Sequence, residues 1–195
     1  MGPFGFLPFM ECYHGVVHIS HGLSGRLIID GEPQDFSYGK GYIEKDWGTS
    51  FPQSWIWIQC NHFQDADISF MLSYAYIPFL GGSFKGLLSF LSVNGQFYRF
   101  STYQGARVTG LDYQDGNLSV TVEGRRHTLS LMVKVKSGSR LKAPKGGAMV
   151  HTILESMNSQ IKMVLTEKSG RLLFRGEGSV TGIEVAGDLS RLNCF

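Results

Sequence analysis

The chain has 195 residues, enough for one substantial core, and only 17% of them are charged, well under the usual quarter or so of a soluble domain. Its 18 Lys and Arg against 16 Asp and Glu give a formal net charge of +2 with no basic run, so there is no electrostatic footprint for nucleic acid. Cys12, Cys60 and Cys194 are odd in number and follow no disulfide or metal spacing, which points to three free thiols in a reducing, cytoplasmic compartment.

The N-terminal stretch MGPFGFLPFMECYHG is apolar, but it has two prolines in its first eight residues and no basic n-region, unlike a signal peptide. No apolar run reaches the roughly 18 residues a spanning helix needs. The longest, residues 77 to 93, is broken by Pro78, Gly81, Gly82 and Lys85. The expectation is a soluble protein, at most peripheral to a membrane. Further along, Asp30-Gly31, Asn94-Gly95 and Asp115-Gly116, with Ser169-Gly170 as a fourth, are dipeptides of primed hairpin turns, whose central residues need positive φ.

Between such turns the apolar residues recur with period two. Leu118, Val120 and Val122 oppose Ser119, Thr121 and Glu123, and Leu129, Leu131, Val133 and Val135 oppose Ser130, Lys134 and Lys136. Residues 80–92 and 151–158 come nearest to helical spacing, yet they lack caps, are rich in Gly, Ser and Thr, and read equally as strands. Residues 137 to 147 carry Gly, Pro and Lys and suggest a long loop. The fold class implied is all-β. About ten or more antiparallel strands would form a single domain over residues 1–195, as an up-and-down barrel or a strongly curved sheet, since closure removes exposed edges. A barrel of about eight or more strands can hold a small ligand inside.

One segment departs from ordinary core sequence. GYIEKDWGTSFPQSWIWIQCNHF, residues 41 to 63, places all three tryptophans among Glu44, Lys45, Asp46, Gln59, Asn61 and His62. As a strand, it turns Tyr42, Glu44 and Asp46 to one side and Ile43, Lys45 and Trp47 to the other. Same-face Cα atoms lie about 6.6 Å apart, so the two carboxylates would couple and one would hold a proton if shielded from water. Beyond Gly48 and Pro52, residues Trp55, Trp57, Gln59, Asn61 and Phe63 share a face, and Ser54, Ile56, Ile58, Cys60 and His62 form an ordinary core face. The first face suits a pocket wall, with aromatic planes for an apolar ligand and amides to orient its polar end. Taken alone, such tryptophans serve more often as barrel packing, and such acids as solvated charges.

No metal site is expected. His14 and His18 share a face but stand about 13 Å apart along a strand, and HExxH or paired CxxC motifs are missing. There is also no GxSxG, phosphate-cradling loop or dinucleotide fingerprint.

The segment 41–63 closely resembles the signature region of the tocopherol cyclase family and its bacterial relatives, through Glu44, Lys45, Asp46, Trp47, Gly48, Phe51, Pro52, Trp55, Trp57, Gln59 and Asn61. GPFGFLPFMECYHGV at 2–16, HGLSGRLIIDG at 21–31, FYRFSTYQGA at 97–106 and LKAPKGGAM at 141–149 look familial too. The resemblance covers most of the chain and implies a lipocalin-like β architecture related to carotenoid hydratase-like proteins. It also implies that the chain is the C-terminal part of a longer two-part protein. Phe4, Phe6, Leu7 and Phe9 would then pack on a missing N-terminal half, the rival being a membrane-contact arm; a homo-oligomer is another way to complete the molecule.

The activity implied is ring closure of a prenylated hydroquinone or related isoprenoid lipid, by protonation of an alkene and attack of the phenol oxygen on the cation. It needs no cofactor, only a protonated carboxylic acid, an aromatic lining and exclusion of water. Cation–π contacts give about 0.5 to 2 kcal/mol each, so the acid carries most of the catalysis. The catalytic candidates are Asp46 and Glu44, with Trp55 and Trp57 stabilising the cation and Trp47, Gln59, Asn61 and Tyr42 completing the substrate site. The alternatives are a lipocalin-like carrier of a prenyl lipid, quinone or carotenoid, and a hydratase in which water captures the cation.

Overall fold

The computed structural model describes residues 1–8, 10–64 and 67–193. Phe9 and Cys194 lie outside the described residues. Strands account for most of the chain: β1 Cys12–Gly22, β2 Arg26–Ile29, β3 Glu32–Asp35, β4 Lys40–Gly48, β5 Ser54–Cys60, β6 His62–Phe63, β7 Ile68–Phe79, β8 Gly82–Val93, β9 Gln96–Ser101, β10 Arg107–Gln114, β11 Asn117–Glu123, β12 His127–Lys134, β13 Ser139–Lys145, β14 Ala148–Glu167 and β15 Leu172–Ala186. The only helices among the described residues are 3-10 turns, at Gly2–Phe6, Thr102–Gln104 and Leu189–Leu192.

Turn chemistry organises the meander. Asp30-Gly31, Asn94-Gly95 and Asp115-Gly116 each place both residues at positive φ, as primed turns require. Leu80-Gly81 does the same between β7 and β8, although Leu at φ 46° is an unfavourable choice. Residues 82–92 and 151–158, which the sequence left open between helix and strand, are strand. Residues 137–147, expected as a loop, are mostly β13, an edge strand paired to β14. Pro144 is tolerated there because the ladder shifts register between Ala143 and Lys145 and the Pro144 carbonyl accepts from Phe51 N–H at 3.0 Å.

The main antiparallel sheet has 11 strands and runs β10-β11-β12-β14-β15-β5-β7-β8-β9, with β13 and β6 as side branches. Nine strands at about 4.8 Å spacing would hold the end strands about 38 Å apart in a flat sheet. Yet β9 and β10 are joined by residues 102–106 alone, which reach about 21 Å at most. The sheet must therefore roll. It does not close, because no ladder joins β9 to β10 among the described residues, so the strongly curved sheet is found and the closed barrel is not.

The concave side of the roll carries the main core. Ile56, Ile58, Phe70, Leu72, Leu91, Phe100, Val122, Leu129, Leu131, Ile161 and Leu165 belong to one continuous buried cluster spanning the sheet from β5 to β15 and round to β9 and β12. A ligand chamber inside the roll, as a barrel would provide, is thus filled by aliphatic side chains. A separate two-stranded ribbon, β1 with β4, lies against the convex side, and β2 with β3 forms an exposed hairpin between them in sequence.

Candidate functional site

The hollow is on the convex side. There β5 turns Trp55 and Trp57 outward while Ile56 and Ile58 face the core. The neighbours of the indoles are small: Trp55 pairs with Ala75 and that in turn with Gly86, and Trp57 pairs with Ser73. On the other flank Gly182 lies beside the Trp57 ring, where an added Cβ would stand 3.1 Å from it. Large rings beside missing side chains leave space, a cavity of about 410 Å³ roofed by β1, β4 and the Gly2–Phe6 turn. Phe4 stacks on Phe84 at 5.0 Å to close one end.

The ribbon register decides what the roof carries. Cα partners His14–Asp46 and Val16–Glu44 put Cys12, His14, Tyr42, Glu44 and Asp46 on the cavity face. Tyr13 and Trp47, also cross-strand partners, stack outward at 5.4 Å, and Lys45 Nζ lies 5.0 Å from the Trp47 ring, away from the acids. The Glu44 side chain is only 9% exposed. Its Oε2 accepts from Trp57 Nε1 at 3.1 Å and from the Tyr42 hydroxyl, while Oε1 lies 3.3 Å from His14 Nδ1. His14 Nδ1 is 2.6 Å from Asp46 Oδ1.

Burial above all, with the charge and hydrogen bond of Asp46, pushes the Glu44 carboxyl up to about 7, against the opposing pull of His14 and Tyr42. For His14, burial pulls the other way, but the hydrogen bond to Asp46 and the charges of Glu44 and Asp46 prevail and hold the imidazolium above its ordinary value. Burial, then Asp46, lifts the Cys12 thiol to about 12, so Cys12 lines the cavity without being a nucleophile. The cluster can thus store a proton on a buried carboxyl beside a cation that can replace it.

His14, Glu44 and Asp46 also bring three possible metal-ligating atoms within 4.8 Å. Two ligands on one ion at about 2.0–2.2 Å stand about 3 Å or more apart. The 2.6 Å His14–Asp46 contact is instead a direct, charge-assisted hydrogen bond.

Glu184 on β15 lines the opposite wall. Its Oε2 accepts from Trp55 Nε1 at 2.6 Å, and burial, followed by the charges of Glu155 and Asp46, keeps its carboxyl above the usual range. Among the described residues the lining therefore carries four acids, Glu44, Asp46, Glu155 and Glu184, with His14 as their cation and no Lys or Arg.

Five of the expected site residues, Tyr42, Glu44, Asp46, Trp55 and Trp57, meet round this cavity. The other three do not line it. Trp47 is 44% exposed on the outer face of the ribbon, because strand alternation puts it opposite Asp46. Gln59 and Asn61 lie beyond the hollow and bind one another at 3.0 Å, and Asn61 Nδ2 donates to Ile19 O at 3.2 Å, tying the β5–β6 junction to β1. The alternation lapses at Asn61, between β5 and β6. Phe63 therefore packs on Phe174 at the main core instead of the pocket face, and His62 is exposed instead of core. His14 and Glu184 carry no motif of their own. Only the pairing of Tyr13-His14 with Asp46-Trp47 reveals the former, and only the β15–β5 register the latter.

Among the described residues no helix is long and apolar enough to cross a membrane. The chain is 28% identical to a probable chloroplastic tocopherol cyclase of Oryza sativa subsp. japonica and 29% identical to a chloroplastic tocopherol cyclase of Zea mays, each over 92% of this chain and 40% of the relative. It thus spans about two fifths of the length of those relatives. No solved structure matches it. The family model described as tocopherol cyclase-like matches residues 1–187, and the chain belongs to that family.

Proposed function

We propose that the convex-face cavity binds a prenylated hydroquinone or related isoprenoid lipid and catalyses its ring closure by alkene protonation. The observation that carries this reading is a buried, proton-holding carboxyl, Glu44, opening on an aromatic hollow between two layers. Glu44 gives its proton to the side-chain alkene, and the tertiary cation forms beside the Trp57 and Trp55 faces. His14, 3.3 Å from Glu44 Oε1 and anchored by Asp46, restores the proton.

Family membership and two relatives named as tocopherol cyclases support a cyclase-type reaction. The lining supports the substrate class. A cavity of about 410 Å³ is within the usual size for a small-molecule site, and its His14 cation is already paired with Asp46, so a diphosphate or sulfate would meet four acids with little free counter-charge. A neutral quinol with an apolar tail meets no such penalty, and four carboxylates favour a transient cation. The product is an isomer of the substrate, so no redox cofactor takes part.

Glu44→Gln and Asp46→Asn, made separately and assayed with a prenylhydroquinone, test the assignment. Turnover should fall about 100-fold or more in Glu44→Gln, on the scale of lost general-acid catalysis. Wild-type turnover from both variants would remove the carboxylates from the mechanism. Recovery of unchanged lipid after long incubation with the wild-type chain would turn the protein into a carrier.

A further inference from the structure

Ring closure needs a second proton transfer besides the one from Glu44. As the alkene gains a proton, the phenol must lose one, or the product is left as an oxonium ion. We propose that Glu184 is the base that accepts the phenol proton, held in place for that task by Trp55; this rests on the cyclase reading above.

The geometry comes from β5. Its two outward indoles each bind one carboxylate, Trp57 to Glu44 on the roof and Trp55 to Glu184 on the wall. Trp55 and Trp57 are i and i+2 on one strand face, so the acid and the base they hold open on the same hollow, as two groups acting on one substrate must. Glu184 is directly across β15–β5 from Trp57, and lines the same cavity as Glu44. The groups facing it are Glu155 on β14, its Cα partner, and Asp46 on β4, near enough for its charge to reach Glu184, with the His151 ring centroid 6.1 Å from that of Trp55. Among the described residues no Lys or Arg lines the cavity, and its cation, His14, is paired with Asp46, so the carboxylate that accepts a proton there relieves repulsion.

The step balances. The π pair of the alkene forms a C–H bond with the Glu44 proton, an oxygen lone pair of the phenol forms the C–O bond to the tertiary carbon, and the O–H bond breaks to Glu184. One proton enters and one leaves: His14, reloaded from solvent, returns the proton to Glu44, and Glu184 gives up its own to solvent.

The two acids then act in opposite protonation states. Glu44 must be protonated, so turnover falls at high pH; Glu184 must be ionised, so turnover falls at low pH. The test is the pH profile of kcat for the wild type, Glu184→Gln, Trp55→Phe and Glu155→Gln chains with a prenylhydroquinone. Glutamine retains an oxygen for Trp55, so the fold should survive. Glu184→Gln is expected to lose about 100-fold in kcat with KM within about threefold, and to lose the low-pH limb. Substrates with more acidic phenols should partly rescue it but not Glu44→Gln.

Trp55→Phe removes a bond that favours the carboxylate, and should move the low-pH limb upward. Glu155→Gln removes a like charge and should move it downward. A Glu184→Gln chain with kcat within about twofold of wild type and an intact low-pH limb would overturn the assignment while leaving the cyclase reading standing. A wild-type chain that never cyclises the substrate would end both.

Discussion

The two faces of β5 differ in what the same alternation accomplishes. Ile56 and Ile58 point into the roll and are fully buried in the main apolar cluster. Trp55 and Trp57, one residue out of phase, point at Ala75, Ser73 and Gly182, whose small size leaves a hollow, and at two carboxylates that need the indole N–H groups. One face stabilises by filling volume; the other gives up packing to gain a site. The lesson is that burial of an acid depends on donors arriving with it. The Glu44 side chain is nearly as enclosed as the core, yet its carboxylate is met by the polar groups of Trp57, Tyr42 and His14.

The sharpest way to break this contrast is to truncate one residue on each face. Ile58→Ala should cost about 3 kcal/mol in denaturant unfolding, because the filled core closes poorly round a cavity, while Ser73→Ala should stay within about 0.5 kcal/mol. Equal costs would mean that the two faces are not different in kind.

A second comparison uses pH. Glu44 and His14 both titrate above their ordinary values in the folded chain, so each contributes stability that is present at low pH and lost as pH rises through the folded value. Unfolding free energy should therefore decline between about pH 4.5 and 7, by up to about 3 kcal/mol from Glu44, and Glu44→Gln should flatten that decline. A profile that rises over this interval would contradict the buried-acid geometry.

A bulky side chain in the hollow gives a smaller effect, confined to the site. Ser73→Leu should weaken binding of a quinol analogue about tenfold, followed by Trp fluorescence quenching, with unfolding free energy changed by less than about 1 kcal/mol. The smallest effects belong to features outside the hollow. Trp47→Phe should leave turnover within about twofold of wild type, and EDTA should leave it unchanged, since His14 and Asp46 bind each other directly. A chelator-sensitive enzyme would recast the triad as a metal site.

Much of this architecture was legible along the chain. Asp-Gly and Asn-Gly dipeptides announce their turns because few other residues adopt positive φ at low cost, and period two shows which side chains travel together. Tyr42, Glu44 and Asp46 share a face for that local reason, as do Trp55 and Trp57. Local pattern failed at Asn61, where the strand breaks and Phe63 changes sides, and at β13, whose Gly, Pro and Lys looked like a loop until β14 supplied a partner.

By itself, then, the sequence determined the strands, most of their turns and the membership of each face, since those follow from backbone sterics within a few residues. Which face became concave, and that the hollow lies outside the roll under the β1–β4 ribbon, was decided only by tertiary structure. So was the meeting of His14 with Asp46 and of Glu184 with Trp55, residues 32 and 129 positions apart. Alternation has no sign and no register: it sorts side chains into two sets, and only the pairing of distant strands says what each set will face.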